Sequence, residues 1–229
     1  MTYDHFAKLD NPAWWALTGV QRAFSAGFAA AKRYRHGVLP FIAYNHALPE
    51  SIIALNEWLE PGEVFFLIGD LPRLPSNWEL ISDLPCAQMI LPGPVAFKPA
   101  DVVHLGTADR DEMFDLINRV QPGYYEPDTY QLGNYYGIRQ EGKLVSIAGE
   151  RIRLEGFTEV SAICTDTAYT GRGYAQQLTT HVCRVNLERG ITPFLHVLQT
   201  NERAIRIYEY LGFRRRRKIS FWKLKKAQF

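Results

Sequence analysis

From Glu159 the chain reads Glu-Val-Ser-Ala-Ile-Cys-Thr165, then Asp166-Thr-Ala-Tyr169, then Thr170-Gly171-Arg172-Gly173-Tyr174-Ala175. The first of these stretches suits a strand, the last a glycine-bearing turn that opens a helix. That order can hold a phosphate. Glycine lets the main chain approach closely, and the N–H groups of a first helical turn have no partner within the helix and face an anion favoured by the helix dipole. The same turn can also serve merely to reverse the chain. Neither the dinucleotide fingerprint nor the Gly-Lys-Ser/Thr ending of a nucleotide loop is present.

Other chemistry is poorly represented. Cys86, Cys164 and Cys183 are too widely separated for a paired ligand spacing, and the six histidines show none, so neither a disulfide framework nor a metal site is expected. A formal net charge of +2 is too small to call for a polyanionic partner. The run Arg214 to Arg217 reads as a solvated strand start or a counter-charge at a helix end, because no aromatic-interleaved basic face accompanies it. No nucleic acid is expected. No apolar run is long enough to span a bilayer, and the start of the chain lacks the pattern of a signal peptide, so a cytoplasmic protein without membrane attachment is expected.

The elements that must position the turn are well punctuated. Asp109 to Val120 carries apolar residues at helical spacing and stops at Pro122-Gly123. Tyr135 to Arg139 and Leu144 to Glu150 flank a Glu-Gly turn as a hairpin, and Glu159 to Thr165 follows as a third strand. After the glycine turn come a helix from Tyr174 to Arg189, a strand Phe194 to Leu198, a helix Asn201 to Leu211 stopped by Gly212, and a final strand. Upstream, the proline-rich segment from Leu91 to Pro99 reads as a linker, dividing an N-terminal lobe over residues 1–95 from a second domain over 102–229. Within that lobe Trp14, Leu17, Val20, Phe24 and Phe28 predict a long helix from Pro12, ended by the charges of Lys32 to His36. Phe41 to Tyr44 and Val64 to Ile68 predict strands, with a helix from Pro49 to Leu59 between them. The lobe carries no chemical signature.

The turn resembles the acyl-CoA pyrophosphate loop of the GNAT superfamily of N-acyltransferases, whose pattern is Gln/Arg-x-x-Gly-x-Gly/Ala. Gly173 and Ala175 match, while Thr170 stands where Gln or Arg is usual. The resemblance implies a mixed α/β fold: a GNAT-like central sheet flanked by helices, preceded here by the smaller α/β lobe. It implies that main-chain N–H groups from Gly171 and Arg172 through Tyr174 to Ala175 hold the phosphates. Downstream, Asn201, Ala204, Tyr208 and Leu211-Gly212-Phe213 fall at the family's spacing. There the Asn contacts the pantetheine arm, the small residue leaves room for the cofactor, and the Tyr gives a proton to the departing thiolate. Asn201 also reads as a plain helix N-cap and Tyr208 as a core aromatic.

Glu159, eleven positions before Thr170, stands where many members carry a glutamate general base, although a glutamate at a strand start is also an ordinary solvated end residue. Glu126, Glu150 and Glu155 are rivals. A main-chain N–H from Ile163, Cys164 or Thr165 would stabilise the charge that develops on the thioester carbonyl. The run from Tyr136 through Gly149-Glu150 to Gly173 looks like the glycine N-acyltransferase-like branch. The function so implied is transfer of an acetyl or other short acyl group from acyl-CoA to a small-molecule or peptide amine, by direct attack and without a metal. The alternative is a non-catalytic acyl-CoA-binding module contacting a protein partner. Five tyrosines (Tyr124, Tyr125, Tyr130, Tyr135 and Tyr136) read either as packing residues or as an acceptor pocket. A homodimer stays open.

Overall fold

A computed structural model describes residues 5–96 and 101–228. In chain order it contains α1 (Pro12–Thr18), β1 (Ser25–Gly27), β2 (Ala31–Tyr34), β3 (Phe41–Tyr44), β4 (Val64–Ile68), β5 (Trp78–Ile90) and β6 (Val103–Leu105). These are followed by α2 (Arg110–Val120), β7 (Tyr135–Gln140), β8 (Lys143–Leu154), β9 (Phe157–Thr165), α3 (Tyr174–Glu188), β10 (Thr192–Leu198), α4 (Glu202–Tyr210) and β11 (Arg214–Lys226). Among the described residues no helix is long and apolar enough to cross a membrane.

The chain divides into two compact units, one comprising Met1–His36, Pro40–Cys86 and Lys218–Phe229, the other Gly37–Leu39 and Ala87–Arg217. This differs from a division at the proline-rich segment, of which Lys98 and Pro99 lie outside the described residues. The reason is strand pairing. Phe221 to Lys225 of β11 pair antiparallel with Ile68 to Val64 of β4, so the end of the chain completes the first unit's sheet.

In the first unit the strands run β1-β2-β3-β4-β11, with Ile42, Phe65, Leu67, Trp78 and Leu224 in its core. The long helix expected from Pro12 stops at Thr18, where Gly19 donates its N–H to Ala16 O. Val20 and Phe28, counted on its apolar face, are exposed instead, and Lys32 lies in β2. The segment Pro49–Trp58 is helical but of the tighter 3₁₀ type. Arg33 sits almost without exposure in an ion pair with Glu63 at 2.6 Å.

The second unit takes the end of β5, from Ala87 on, and carries the strand order β5-β10-β9-β8-β7-β6. β9, β8, β7 and β6 pair antiparallel in succession, whereas β10 is parallel to β9. The β7–β8 turn is tight because both Glu141 and Gly142 adopt positive φ, 51° and 81°, matching the twist of the two strands. Two apolar clusters sandwich this sheet. One joins α2 to Leu105, Tyr135, Ile147 and Cys164. The other joins Leu178, Val182 and Cys183 of α3 to Val160, Leu195 and Ile205.

Candidate active site

Pairing between β9 and β10 covers three positions, Thr192↔Phe157, Pro193↔Thr158 and Phe194↔Glu159. It ends there, although β9 continues to Thr165 and β10 to Leu198. Beyond Glu159 the two parallel strands therefore diverge and leave strand edges of main-chain donors and acceptors without each other. A bulge accentuates this: between the pairs Ile147↔Cys164 and Gly149↔Ser161, β8 advances two residues and β9 three. The extra residue falls at Ala162, which adopts φ of 53°, a conformation costly for a residue with a Cβ and one that clusters at functional sites.

At the far end of β9 the chain enters the glycine turn. Asp166 fixes its start, accepting from Ala168 N at 3.1 Å and pairing with Arg119 at 3.0 Å and Lys143 at 3.1 Å. Thr170 Oγ1 donates to Thr167 O, so this residue closes the preceding turn. The Arg172 guanidinium lies over the Tyr169 ring. Gly171 and Gly173 adopt φ of 80° and 78°, and a Cβ on Gly171 would meet no atom within 4 Å, leaving that side open. Gln177 N donates to Gly173 O; the amides of Tyr174, Ala175 and Gln176 before it belong to the first turn of a fifteen-residue helix and have no intrahelical acceptor.

Asn201 caps α4, its Oδ1 accepting from Ala204 N at 3.1 Å, so the capping reading holds whatever else the residue does. Tyr208 is half-buried and packs, with Ile163 and Ala204, against the α3 cluster. Burial, with lesser contributions from Cys164 and Cys183, raises its pKa well above the ordinary phenol value. Cys164 is buried and has its thiol pushed up to about 12. Thr165 Oγ1 lies 2.8 Å from Ser146 Oγ.

Glu159 departs from the solvated or freely basic residue expected. Phe157, not Glu159, begins the strand, and Glu159 is fully buried. Its carboxylate accepts from Arg151 Nε at 2.9 Å and Nη2 at 2.7 Å, and contacts His196 Nδ1 at 2.7 Å. Burial alone would raise its pKa, but the Arg151 charge and hydrogen bonds from Arg151 and His196 outweigh it and hold the group at about 2. The network continues outward: Arg216 Nη1 donates to Gln88 Oε1 at 2.7 Å, which leaves the Gln88 amide nitrogen facing His196 Nε2 at 3.0 Å. That orientation makes His196 Nε2 an acceptor and Nδ1–H the donor to Glu159. A carboxylate so engaged is a poor proton acceptor. Of its rivals, Glu150 is likewise buried, accepting from Asn134 N and Nδ2 and from Asn186 Nδ2, while Glu155 stands exposed in the β8–β9 turn.

Known structures share this fold. A GNAT-family protein from Novosphingobium aromaticivorans, assigned as an acetyltransferase, is 35% identical and superposes with a TM-score of 0.89 over 96% of this chain and 98% of that one. The chain belongs to the GNAT family. The family model described as FR47-like protein matches residues 135–222, which span the diverging strands, the glycine turn and α4. A GCN5-related N-acetyltransferase from Kribbella flavida shares the fold, with a TM-score of 0.63 at 17% identity over 95% of each chain. Comparison with curated proteins gives no match.

In this GNAT protein a small cavity of about 30 Å³ opens against the bulged part of β9. Ser161 and Ala162 form one wall; Ile117 and Gln121 of α2 face it, with Tyr124, Tyr125, Tyr135 and Arg151 completing the lining. Three of the five tyrosines singled out in the sequence thus meet in one pocket. Tyr130 packs against the α2 cluster instead, and Tyr136 stacks edge-on against His181. Arg151, Ser161 and Gln121 were not anticipated. Arg151 carried no signal in the sequence: the hairpin turns with Leu154 opposite Phe157, and only a register shift between Glu150 and Arg153 brings Arg151 toward Glu159.

Proposed function

We propose that the chain transfers an acetyl or other short acyl group from acyl-CoA to a primary amine, by direct attack within a ternary complex. The observation that carries this reading is the parting of β9 from β10 after Glu159, adjoining an open glycine turn at the start of α3. The residues fit such a cofactor. Amides from Gly171 to Ala175 would receive a pyrophosphate, and the freed edges of β9 and β10 would pair with an extended amide-bearing arm as an added strand does. Ile163, Cys164, Thr165, Asn201 and Ala204 would flank that arm. When bound, the cofactor supplies the activated thioester carbonyl.

The chain's own residues then divide the work. A main-chain N–H in the stretch 163–165 would stabilise negative charge on the carbonyl oxygen, worth roughly 3 kcal/mol per donor. Tyr208 keeps its proton at neutral pH, so its phenol can give that proton to a departing thiolate. Glu159 positions Arg151 in the pocket wall and takes no proton. Among the described residues the lining of the small cavity holds no carboxylate or imidazole, and the amine's proton would leave to water. Cys164 forms no acyl intermediate, because a thiol held at about 12 offers almost no thiolate. The motif run from Tyr136 to Gly173 supports placement in the glycine N-acyltransferase-like branch.

Incubation of the protein with acetyl-CoA and a panel of amines, following thiol release and product mass, tests the proposal. Acetylated amine is expected. Tight binding of CoA with no product from any amine would favour the non-catalytic module.

A further inference from the structure

We propose that His196 is a positioning residue for the cofactor: its imidazole, locked between Glu159 and Gln88, fixes the parted edge of β10 where the amide-bearing arm of acyl-CoA is received. The inference rests on the acyltransferase reading and adds the side chain that holds the opening in register. Beyond the last pair, Phe194↔Glu159, β10 no longer has β9 beside it to keep its main chain in place. His196 is the second residue past that point on β10.

The main chain and the side chain of His196 face different surroundings. Along a strand the main-chain polar groups alternate sides. Thr192 donates its N–H to Gly156 O, at the head of β9, and Pro193 O accepts from Leu91 N, on the β5 side. By that alternation the N–H and C=O of His196 point to the β9 side, into the opening. The residue is partly exposed while its side chain is only 1% exposed, so water reaches the main chain and not the imidazole. An added strand requires an edge of that kind.

The imidazole is anchored on the buried side. Its Nδ1 lies 2.7 Å from Glu159 Oε1, its Nε2 lies 3.0 Å from the Gln88 amide nitrogen, and the Phe194 ring meets it edge-on with centroids 5.5 Å apart. Glu159 is in turn tied to Arg151, and Gln88 to Arg216. Arg151, Glu159, His196, Gln88 and Arg216 thus form a polar row through the adjacent strands β8, β9, β10, β5 and β11. Where main-chain pairing between β9 and β10 stops, a side-chain bridge takes over, from the last paired residue of β9 to a residue beyond the pairing on β10. Buried polar networks rigidify the segments they join. This one ties β10 to β9 without closing the gap between their main chains.

Acetyl-CoA and 3′-phosphoadenosine 5′-diphosphate share the phosphates and differ in the arm. In His196→Leu, which keeps much of the bulk and removes both ring nitrogens, calorimetry should find acetyl-CoA bound about tenfold more weakly, one hydrogen bond's worth, and the nucleotide bound as by the parent. His196→Asn, whose amide N–H stands in for Nδ1–H toward Glu159, should recover most of the loss. In the parent, the His196 amide should exchange its hydrogen more slowly with acetyl-CoA bound than with the nucleotide bound, a measurement that decides the matter if His196→Leu does not fold. Equal weakening of both ligands, weakening of neither, no recovery in His196→Asn, or equal exchange with the two ligands each overturns the inference and leaves the acyltransferase reading standing. Failure of acetyl-CoA to bind the parent would overturn that reading, and this inference with it.

Discussion

Arg151 and Glu159 face each other across the β8–β9 hairpin, the guanidinium donating from Nε at 2.9 Å and from Nη2 at 2.7 Å to the two carboxylate oxygens. The pair is closed to water on the Glu159 side, and His196 completes the carboxylate's shell. Removing one partner of such a pair leaves a buried charge uncompensated. Glu159→Gln should therefore destabilise the protein by about 3–5 kcal/mol in denaturant titration. The carboxyl's folded pKa, about 2, is depressed, so its contribution is complete above the unfolded value near ~4.3 and is lost as pH falls toward the folded value. Stability of the parent should decline through that interval, and the variant should lack this decline. A variant as stable as the parent would return Glu159 to candidacy as a free base.

Rate should follow the substrate's proton and not the protein's. Among the described residues no carboxylate or imidazole lines the small cavity, and Tyr208 is raised above the phenol range by burial. The value of kcat/KM is expected to climb with pH along the acceptor amine's own titration, with neither an inflection between about pH 6 and 8 nor a fall at the upper end of that range. Amines of different pKa should shift the curve correspondingly. A bell-shaped profile common to all amines would instead point to a protein base.

Tyr208→Phe should lower turnover by about a hundredfold or more while leaving acetyl-CoA affinity near the parent value, since the ring packing against Phe213 survives. Equal turnover would reduce Tyr208 to a core aromatic.

Burial pushes the Cys164 thiol up to about 12 and raises Cys183 as well. Under native conditions a maleimide should label neither residue, and Cys164→Ser should retain most of the parent's turnover. Abolished activity in a folded Cys164→Ser protein would require a covalent route.

What could be read without coordinates was uneven, for physical reasons. Around the site the elements α2, β7 to β10, α3 and α4 are each bounded by residues that can do little else, such as Gly142 and Gly190 at positive φ. The lobe was harder. Val20, Phe24 and Phe28 fit helical spacing, but Gly19 ends the helix and a short strand follows; periodicity does not register where the chain turns. The thirteen-residue strand β5 was hidden by Pro85, which interrupts its apolar pattern. The membership of β11 in the first unit depends on a pairing with β4 more than 150 residues earlier in the chain, as between Phe221 and Ile68, and local sequence carries no trace of it. At the site, the glycine turn was legible because backbone conformation there demands glycine. Glu159's burial was not, because it depends on Arg151 and His196 meeting it from neighbouring strands.

Acyl-CoA binding turns on whether the amides of residues 171–175 grip a pyrophosphate. Titration of acetyl-CoA into the parent and into Gly173→Glu by isothermal calorimetry tests it most directly, since the substitution places a Cβ at φ of 78° and a negative charge beside the proposed anion. Saturable binding by the parent and none detectable in a folded Gly173→Glu protein is the expected result. Equal affinity in the two proteins, or no binding by the parent at millimolar acetyl-CoA, would contradict it.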